Sequence, residues 1–467
     1  MREYSVNVLP FDFISFKSIT IDKEINCHSC ATVVGIISGD VTEEYAELLM
    51  GELWVEIEAV GEYGERETLM KGIVTEFSID HEAHQNVLSL TIQSGTYLMD
   101  VSKGFRTFQN ASISYDDVLN VIDERYQSTA HSGEGLAFRP IDDFLFQYQE
   151  TDWEFIKRLA SRLNYHICPD DTYEGANYCL GMQAGSQIHF SEPLRYSAHK
   201  SISEYMGMKI SEEISLREND CLSFSVGSRD IYRIWDWTHM LGNVPVFVYK
   251  IESRYTNEEL LHHYYLRSAE GLQVLRRFNS LISGCSFEAS VRDIKQDLVQ
   301  IAVHEDENTK QEITKWFKYS TVYSTPDGTG WYCMPEVGDT VRLYIPGECE
   351  NDGYVISSVH LDASGGDRNN PDHKSIMNKY RKEILFTPDK LVLTNNKGIS
   401  IEIIDNEWVS IISNKAINIK AKDSVTISSE SASMTVAGTD SVTIKQGGAS
   451  IQMDDDISFA GGEFRIQ

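Results

Sequence analysis

The C-terminal stretch 399–467 decides the fold: ISIEIIDNEWVSIISNKAINIKAKDSVTISSESASMTVAGTDSVTIKQGGASIQMDDDISFAGGEFRIQ. Apolar pairs whose two members are two residues apart recur along it every eight or nine residues. Residues two apart share one face of a strand, and the residues between the pairs are turn formers such as Gly, Asn, Asp and Ser. The pairs are Val409/Ile411, Ile417/Ile419, Val425/Ile427, Met434/Val436, Val442/Ile444 and Ile451/Met453. The sequence therefore predicts an internal β repeat of strands and turns.

One repeat is too short for a single chain to wind around its own core. Eight extended residues span roughly 26 Å, so the apolar side must be covered in another way. Two packings remain open: an antiparallel meander with one apolar face, or several copies wound around a common axis with each pair pointing inward. The scarcity of large rings favours the wound packing, since Phe459 and Phe464 are the aromatic residues after Trp408. The period itself does not decide between them.

Composition excludes several classes of partner. The formal net charge of −30 would repel both nucleic acid and anionic membrane surfaces. No run of 18 apolar residues is present, so we expect no stable insertion into a membrane. The N-terminus alternates like a strand and lacks a secretory cleavage pattern, which predicts synthesis in the cytoplasm without a signal peptide. Eight scattered cysteines indicate reduced, structural thiols.

The first part of the chain, 1–280, combines strands with helices. Residues 1–100 alternate in the manner of an antiparallel barrel or sandwich. Helices are predicted near 114–127, 151–164 and 257–279, the first of them capped by Ser114.

The most distinctive local pattern is YQETDWEFIKRLASRLNYHI, residues 148–167. Thr151 and Glu154 have the spacing of a capping box, and an apolar stripe follows at helical spacing. Asn164 stands where a left-handed stop is tolerated. The pattern predicts a well-capped amphipathic helix.

Three further segments follow residues 1–280. Residues 281–361 contain five or so short strands separated by turns, which suits a small barrel of OB type. Residues 362–383 form a linker rich in Gly, Asp and Asn and then the start of the repeat region. Residues 384–467 carry the β repeat.

A search for chemistry finds no catalytic, cofactor-binding or metal site. The CHSC motif at 27–30 has metal or redox spacing but stands alone and does not open a helix, so we interpret its cysteines as structural. No nucleophile elbow, P-loop or dinucleotide fingerprint is present. The sequence therefore predicts a protein that is not an enzyme and needs no cofactor.

Three stretches together resemble VgrG-like spike and hub proteins of contractile injection systems. Residues 148–165 are similar to the hub helix of that family, and GWYCMPEVGDTVRLYIPGE (330–348) with GYVISSVH (353–360) is similar to the OB-fold that follows the hub. NNPDHKSIMNKYRKEILFTPDKLVLTNNKGISIEI (369–403) resembles the start of the family's trimeric β-helix. The resemblance implies a mainly β fold: an α+β hub of β-barrels with inserted helices, an OB-fold barrel, and a C-terminal intertwined triple-stranded β-helix.

The family also implies a homotrimer in which inward-pointing residues form three-fold apolar layers. The expected trimer core comprises Ile399, Ile401, Ile403, Val409, Ile411, Ile417, Ile419, Val425, Ile427, Met434, Val436, Val442, Ile444, Ile451 and Met453. A PAAR-type tip protein is expected to bind the end formed by Ile457, Phe459, Phe464 and Ile466.

The implied function is mechanical. A trimeric spike and hub of this kind joins the inner tube and baseplate proteins to a piercing needle that carries a cap or effector cargo. It would be part of an assembled injection particle and would leave the cell, or enter a target cell, when the particle fires. About ten residues separate the barrel from the start of the needle, which leaves no room there for an enzyme domain.

Two other functions stay open. The first is a carbohydrate-binding β-repeat protein of a tail, which would need exposed aromatic side chains on the repeat. The second is a cell-wall hydrolase that uses carboxylates in hub loops, for instance within 170–200.

Overall fold

The computed structural model describes residues 4–82, 85–190, 195–209, 214–241, 243–358 and 370–463. The chain forms two compact units, Met1–His360 and Leu361–Gln467, and both are mainly β. No helix among the described residues combines the length and apolarity that a membrane crossing requires.

The first unit holds four α-helices and 21 strands among its described residues. The helices are α1 (Thr42–Leu48), α2 (Tyr115–Asp123), α3 (Asp152–Ser161) and α4 (Ile202–Met208). The strands are β1 (Tyr4–Leu9), β2 (Ser15–Glu24), β3 (Cys30–Ile37), β4 (Trp54–Gly61), β5 (Arg66–Glu82), β6 (Gln85–Gln93), β7 (Lys103–Phe108), β8 (His131–Gly133), β9 (Leu145–Thr151), β10 (Ile167–Pro169), β11 (Tyr178–Leu180), β12 (Tyr196–Lys200), β13 (Leu222–Ser228), β14 (Trp237–Met240), β15 (Val244–Thr256), β16 (Glu259–Arg267), β17 (Ser286–Lys295), β18 (Leu298–Val303), β19 (Phe317–Lys318), β20 (Thr340–Tyr344) and β21 (Tyr354–Ser358).

Antiparallel pairing joins eleven of these strands into one large sheet. Their order is β1-β4-β5-β6-β3-β2-β15-β16-β13-β12, with β14 paired to β15. Because β1 also contacts β16, the run of strands from β1 to β16 curls back on itself. One apolar core lies against β1–β6 and a second lies against β13–β16. The antiparallel strands predicted over residues 1–100 are confirmed, whereas α1 interrupts them without having been predicted.

The helices predicted near 114–127 and 151–164 are confirmed as α2 and α3. Ser114 caps α2 by accepting a hydrogen bond from the Asp117 backbone N–H at 3.1 Å. Thr151 does the same for α3 from the Glu154 N–H at 3.1 Å, so both helices begin with a capping box. Asn164 has a φ of 56°, the predicted left-handed stop after α3.

The helix predicted over 257–279 is wrong, because residues 259–267 form strand β16. Asn257 and Glu258 have φ values of 53° and 62° and make the two-residue turn between β15 and β16. Buried His262 and exposed His263 alternate along the strand. Apolar and aromatic residues occupy both faces of β16, which hides its two-residue period and makes the stretch look helical.

Strands β17–β21 form a separate five-stranded sheet in the order β19-β18-β17-β20-β21. A parallel bridge between Tyr319 and Val355 and a 2.8 Å bond from the Ser320 N–H to the Val355 carbonyl join its two edges. The sheet therefore closes around its own apolar core. Five short strands were predicted in this region, and five are found among its described residues.

The described part of the second unit, 370–463, contains two antiparallel sheets, each in simple up-and-down order. The strands are β22 (Lys374–Met377), β23 (Glu383–Phe386), β24 (Lys390–Thr394), β25 (Ile399–Ile404), β26 (Val409–Ser413), β27 (Val442–Gln446), β28 (Ala449–Met453) and β29 (Ile457–Ala460). The first five form one sheet and the last three form the other. Within a single chain, these two stretches have the meander arrangement.

Candidate assembly surface and hub contacts

A continuous row of apolar side chains crosses all five strands from β22 to β26. The register pairs Ile376 with Ile384, Ile384 with Leu393, Leu393 with Ile401, and Ile401 with Ile411. Directly paired residues point to the same side of a sheet. Ile376, Leu393, Ile401 and Ile411 are nevertheless 39–57% exposed. The row is therefore a strip of exposed apolar side chains on this sheet.

A second row runs beside the first through Phe386, Leu391, Ile403 and Val409. Ile399 lies on the same side of β25 as Ile401 and Ile403. We call these two rows together with Ile399 the apolar face. Five of the residues predicted for the trimer core belong to it: Ile399, Ile401, Ile403, Val409 and Ile411.

The opposite side of this sheet is mixed in character. Glu402 and Ser410 lie there, and Lys390 is 3.5 Å from the Glu402 carboxylate. Val392 also lies on this side. It is 7% exposed, and among the described residues 370–463 no other apolar residue is buried. The sheet thus leaves its more apolar side open to water.

The three-stranded sheet repeats the arrangement on a smaller scale. Its register pairs Ile444 with Ile451 and Ile451 with Phe459, while Met453 pairs with both Val442 and Ile457. Predicted core residues and the predicted tip residues Ile457 and Phe459 therefore share one face. Ile444, Ile457 and Phe459 are 57–64% exposed. Phe464 and Ile466 of the predicted tip lie outside the described residues.

Residues 414–441 lie between the two sheets and contain no strand, which corrects the strands predicted from the repeat there. A strand is defined by backbone hydrogen bonds to a neighbour, and this chain supplies no neighbouring strand for the segment. The apolar side chains predicted for its core are all 53–71% exposed: Ile417, Ile419, Val425, Ile427, Met434 and Val436.

A buried ionic network in the first unit was not predicted from the sequence. Arg158 on α3 donates hydrogen bonds to both carboxylate oxygens of Glu150 at 2.8 Å and to Glu350 at 2.7 Å. Arg158 and Glu350 are 3% and 4% exposed. Burial opposes the charge of Arg158, but the carboxylates of Glu350 and Glu150 outweigh it and raise the pKa of the guanidinium. The network fastens α3 to the loop between β20 and β21.

A second set of contacts joins β7 to the segment after β18. The Asp306 carboxylate accepts the Thr107 N–H at 3.0 Å, and Glu307 accepts the Phe105 N–H at 3.1 Å. The Glu307 N–H donates in turn to the Phe105 carbonyl at 3.0 Å. The partners are about 200 residues apart in the chain, so no local pattern could have revealed them.

Residues 33–165 match a model of the phage tail baseplate hub (GPD) family. An E. coli protein described as a component of the type VI secretion system, with structural similarity to the T4 bacteriophage tail proteins gp27 and gp5, matches with a TM-score of 0.55 and 11% identity. That match covers 76% of this chain and 100% of the other.

The Francisella PdpA–VgrG complex, half-lidded, matches with a TM-score of 0.59 and 9% identity, covering 88% of each chain. The lidless complex gives 0.58, again at 9% identity, and covers 88% of this chain and 98% of the other. No curated protein sequence matches this chain significantly. The chain has the fold of a VgrG-like hub protein.

The buried ionic contacts and the apolar face lie in different places relative to the family match. The matched range 33–165 contains α2, α3 and Arg158, whereas Glu350 and the whole apolar face lie beyond it. The Arg158 network and the contacts of β7 with Asp306 and Glu307 can hold one part of the first unit against another. The apolar face offers no acid, base or nucleophile, and what it can do chemically is bury itself against a similar surface.

Proposed function

We propose that this chain is the hub and spike of a contractile injection apparatus and acts as a homotrimer without catalytic activity. The hub end joins inner tube and baseplate proteins, and the C-terminal end carries a PAAR-type tip protein or effector cargo. The protein is made in the cytoplasm and leaves with the particle when it fires. The baseplate-hub match and the fold shared with VgrG support this proposal.

The apolar face is the main observation that supports a trimer. Soluble monomers rarely expose contiguous apolar patches larger than a few hundred Å². Fully burying one Ile or Val side chain contributes roughly 1.5–3 kcal/mol. Seven Ile or Val residues lie on the apolar face of β22–β26, together with Phe386, Leu391 and Leu393. A further copy of the same face is a partner of the right shape and chemistry.

The segment 414–441 favours chains that wind around each other, and it does not favour flat sheets stacked on one another. Its backbone groups find no strand within the described part of this chain, while its apolar pairs continue the spacing seen in β25 and β26. Strands from sister chains would supply the missing hydrogen bonds and close the edges of the sheet. The small Ser, Thr and Ala residues between the pairs suit a thin prism.

Mechanical stiffness follows from this arrangement. Layers of apolar side chains shared by three chains and backbone hydrogen bonds between chains resist bending, so force applied at the hub reaches the tip. We also assign residues 281–361 to an OB-type barrel, supported by the bridge from Tyr319 to Val355 that closes its five strands. We assign 1–280 to the hub, 362–383 to the linker and start of the needle, and 384–467 to the needle.

The solution mass of the purified full chain tests the proposal directly. Light scattering coupled to size exclusion at micromolar concentration should give three times 53.0 kDa, about 159 kDa. A soluble, folded 53.0 kDa species at that concentration would contradict the trimer. A mass of two chains would contradict the three-fold winding. It would agree only with the proposal that copies of the chain meet through the apolar face.

A matched pair of variants tests the tip. Phe459→Asp places a charge on the face shared with Ile451, whereas Ser458→Asp places the same charge on the opposite side of β29. We expect Phe459→Asp to abolish co-purification with a PAAR-type protein and Ser458→Asp to retain it. Equal binding by both variants would move the cap to another surface.

A further inference from the structure

Two cysteines lie directly opposite each other in the short hairpin formed by β10 and β11. The register pairs Cys168 with Cys179. The flanking bonds run from the Asp170 N–H to the Asn177 carbonyl and from the Gly181 N–H to the His166 carbonyl, both at 2.8 Å. Cys168 and Cys179 are therefore a hydrogen-bonded cross-strand pair, for which the Cα separation is about 5.5 Å. That separation lies in the middle of the range that a disulfide spans.

Directly paired residues point to the same side of a hairpin, so the two thiols are neighbours. The neighbouring Cys179 thiol together with burial raises the pKa of Cys168. The Cys168 thiol donates to the Pro169 carbonyl at 3.5 Å. Both cysteines are free thiols, 7% and 8% exposed. Since the backbone spacing and the side-chain direction place both thiols on one side of the hairpin, a bond between them requires rotation of the side chains but no change of register.

A cavity gives small molecules a route to the pair. Cys168 and Cys179 line a space of about 430 Å³ that Lys23, Trp235 and His262 also line. A cross-strand pair sealed inside a core would stay out of reach of an oxidant. Here both cysteines line a volume that a small reagent can enter.

We propose that Cys168 and Cys179 form a redox-sensitive modification site that closes to a disulfide when the protein meets a small disulfide oxidant such as oxidised glutathione. One thiol loses its proton and its sulfur attacks the oxidant, forming a mixed disulfide and releasing one glutathione thiol. The second cysteine sulfur then attacks the mixed disulfide at the protein sulfur and releases the second glutathione. Two S–H bonds are lost, one protein S–S bond forms, and the oxidant's S–S bond is reduced to two thiols.

The bond would link the two strands of the hairpin at their central pair. Tyr178 and Leu180 of β11 belong to the apolar core around α2 and α3, and β11 also pairs with β8. The bond would therefore hold one wall of the cavity against the helical core and restrict the unfolded chain. This inference does not depend on the proposed function.

Thiol mapping on the native full chain tests the site. The protein is incubated with excess oxidised glutathione, quenched in acid, alkylated in denaturant and digested for mass spectrometry. We expect two of the eight thiols to disappear and one cross-linked peptide to join Cys168 and Cys179. Retention of both thiols would overturn the proposal. So would a stable glutathione adduct on either cysteine, or a cross-link elsewhere.

Variants separate this pair from the other candidate pair. Cys27 and Cys30 have C-x-x-C spacing and greater exposure, so Cys27→Ser with Cys30→Ser is the matched control and should leave the cross-link unchanged. Cys168→Ala or Cys179→Ala should remove it. The mapping on the wild-type chain stands even if an Ala variant folds poorly.

The pH dependence gives a second readout. Thiolate is the attacking species, and the pKa of Cys168 is raised, so the rate of cross-linking should increase about tenfold per pH unit between pH 7 and 8.5. A rate independent of pH over this interval would contradict a thiolate attack by this pair.

Discussion

The two units of the chain treat their apolar residues in opposite ways. The first unit buries them in five clusters, and the residues of α3 are almost all inaccessible to water. In the second unit, Val392 is the buried apolar residue of the described range 370–463, although its strands are rich in Ile and Val. The first unit buries its apolar residues within itself, whereas the strands of the second unit leave most of theirs exposed.

Buried polar groups follow the same division. The first unit contains the Arg158 network and other buried charges that fix how its parts pack. The second contains no buried polar residue within 370–463. Specific ionic contacts thus fix the packing of the first unit, whereas exposed apolar side chains characterise the strands of the second.

A charge within the unpaired segment is the strongest test of that contrast. Ile419 is 71% exposed and lies in no strand, so Ile419→Asp should leave an isolated chain undisturbed. In a trimer it would bury three like charges in one layer at a cost of several kcal/mol each. We expect the assembly of about 159 kDa, three times 53.0 kDa, to be lost and the first unit to remain folded.

Asn418→Asp is the control, because it adds the same charge at the adjacent position on the other side of the extended chain. Its assembly should match the wild type in size-exclusion light scattering. Normal assembly by Ile419→Asp would mean that Ile419 does not face the axis.

The sequence predicted the elements whose signals are local. Ser114 and Thr151 marked the starts of α2 and α3, and Asn164 marked the end of the second helix. The two-residue spacing in the repeat also predicted which side of β25 is apolar. These predictions succeeded because each depends on residues a few positions apart.

The features that the sequence did not predict correctly have physical causes of two kinds. Strand β16 was mistaken for a helix because its turn uses Asn257 and Glu258 in place of the usual Asn-Gly, and because both of its faces carry bulky side chains. The pairing of Arg158 with Glu350 joins residues 192 apart in the chain. Residues 414–441 form no strand because strand formation needs a partner that the chain itself does not provide.

Removal of the Arg158 guanidinium tests how much the buried ionic network stabilises the first unit. Arg158→Met leaves Glu150 and Glu350 buried without a counter-charge, which costs about 3–5 kcal/mol of unfolding free energy. Urea unfolding of the full chain, followed by circular dichroism, measures the loss. The mass of the assembly should not change, since the network lies outside the apolar face.

Arg229→Met provides the matched control. Arg229 pairs with Glu259, and the side chains of this pair are 40% and 43% exposed, so its loss should cost at most about 1 kcal/mol. If both variants lose the same stability, the buried network is no more important than a surface ion pair.

The smallest expected effect is the pH dependence of the unfolding free energy, which should differ between the two units. Burial lowers the pKa of His262 to about 4, from an ordinary value of 6.5. The unfolded chain therefore binds the proton more readily than the folded chain, so stability is complete above pH 6.5 and falls as the pH drops toward 4. The full difference corresponds to about 3 kcal/mol. Burial lowers the pKa of His166 in the same direction, while carboxylate partners raise that of His131.

Since these histidines all titrate in the same unit, the informative measurement is a difference between variants. His262→Gln should flatten the fall in unfolding free energy between pH 6.5 and 4, and His263→Gln, at the exposed neighbouring position of β16, should not. The described part of the second unit has one histidine, the exposed His373, so acid should weaken the first unit without the same loss in the repeat. Parallel acid profiles for His262→Gln and His263→Gln would show that a group other than His262 dominates the pH dependence of the first unit.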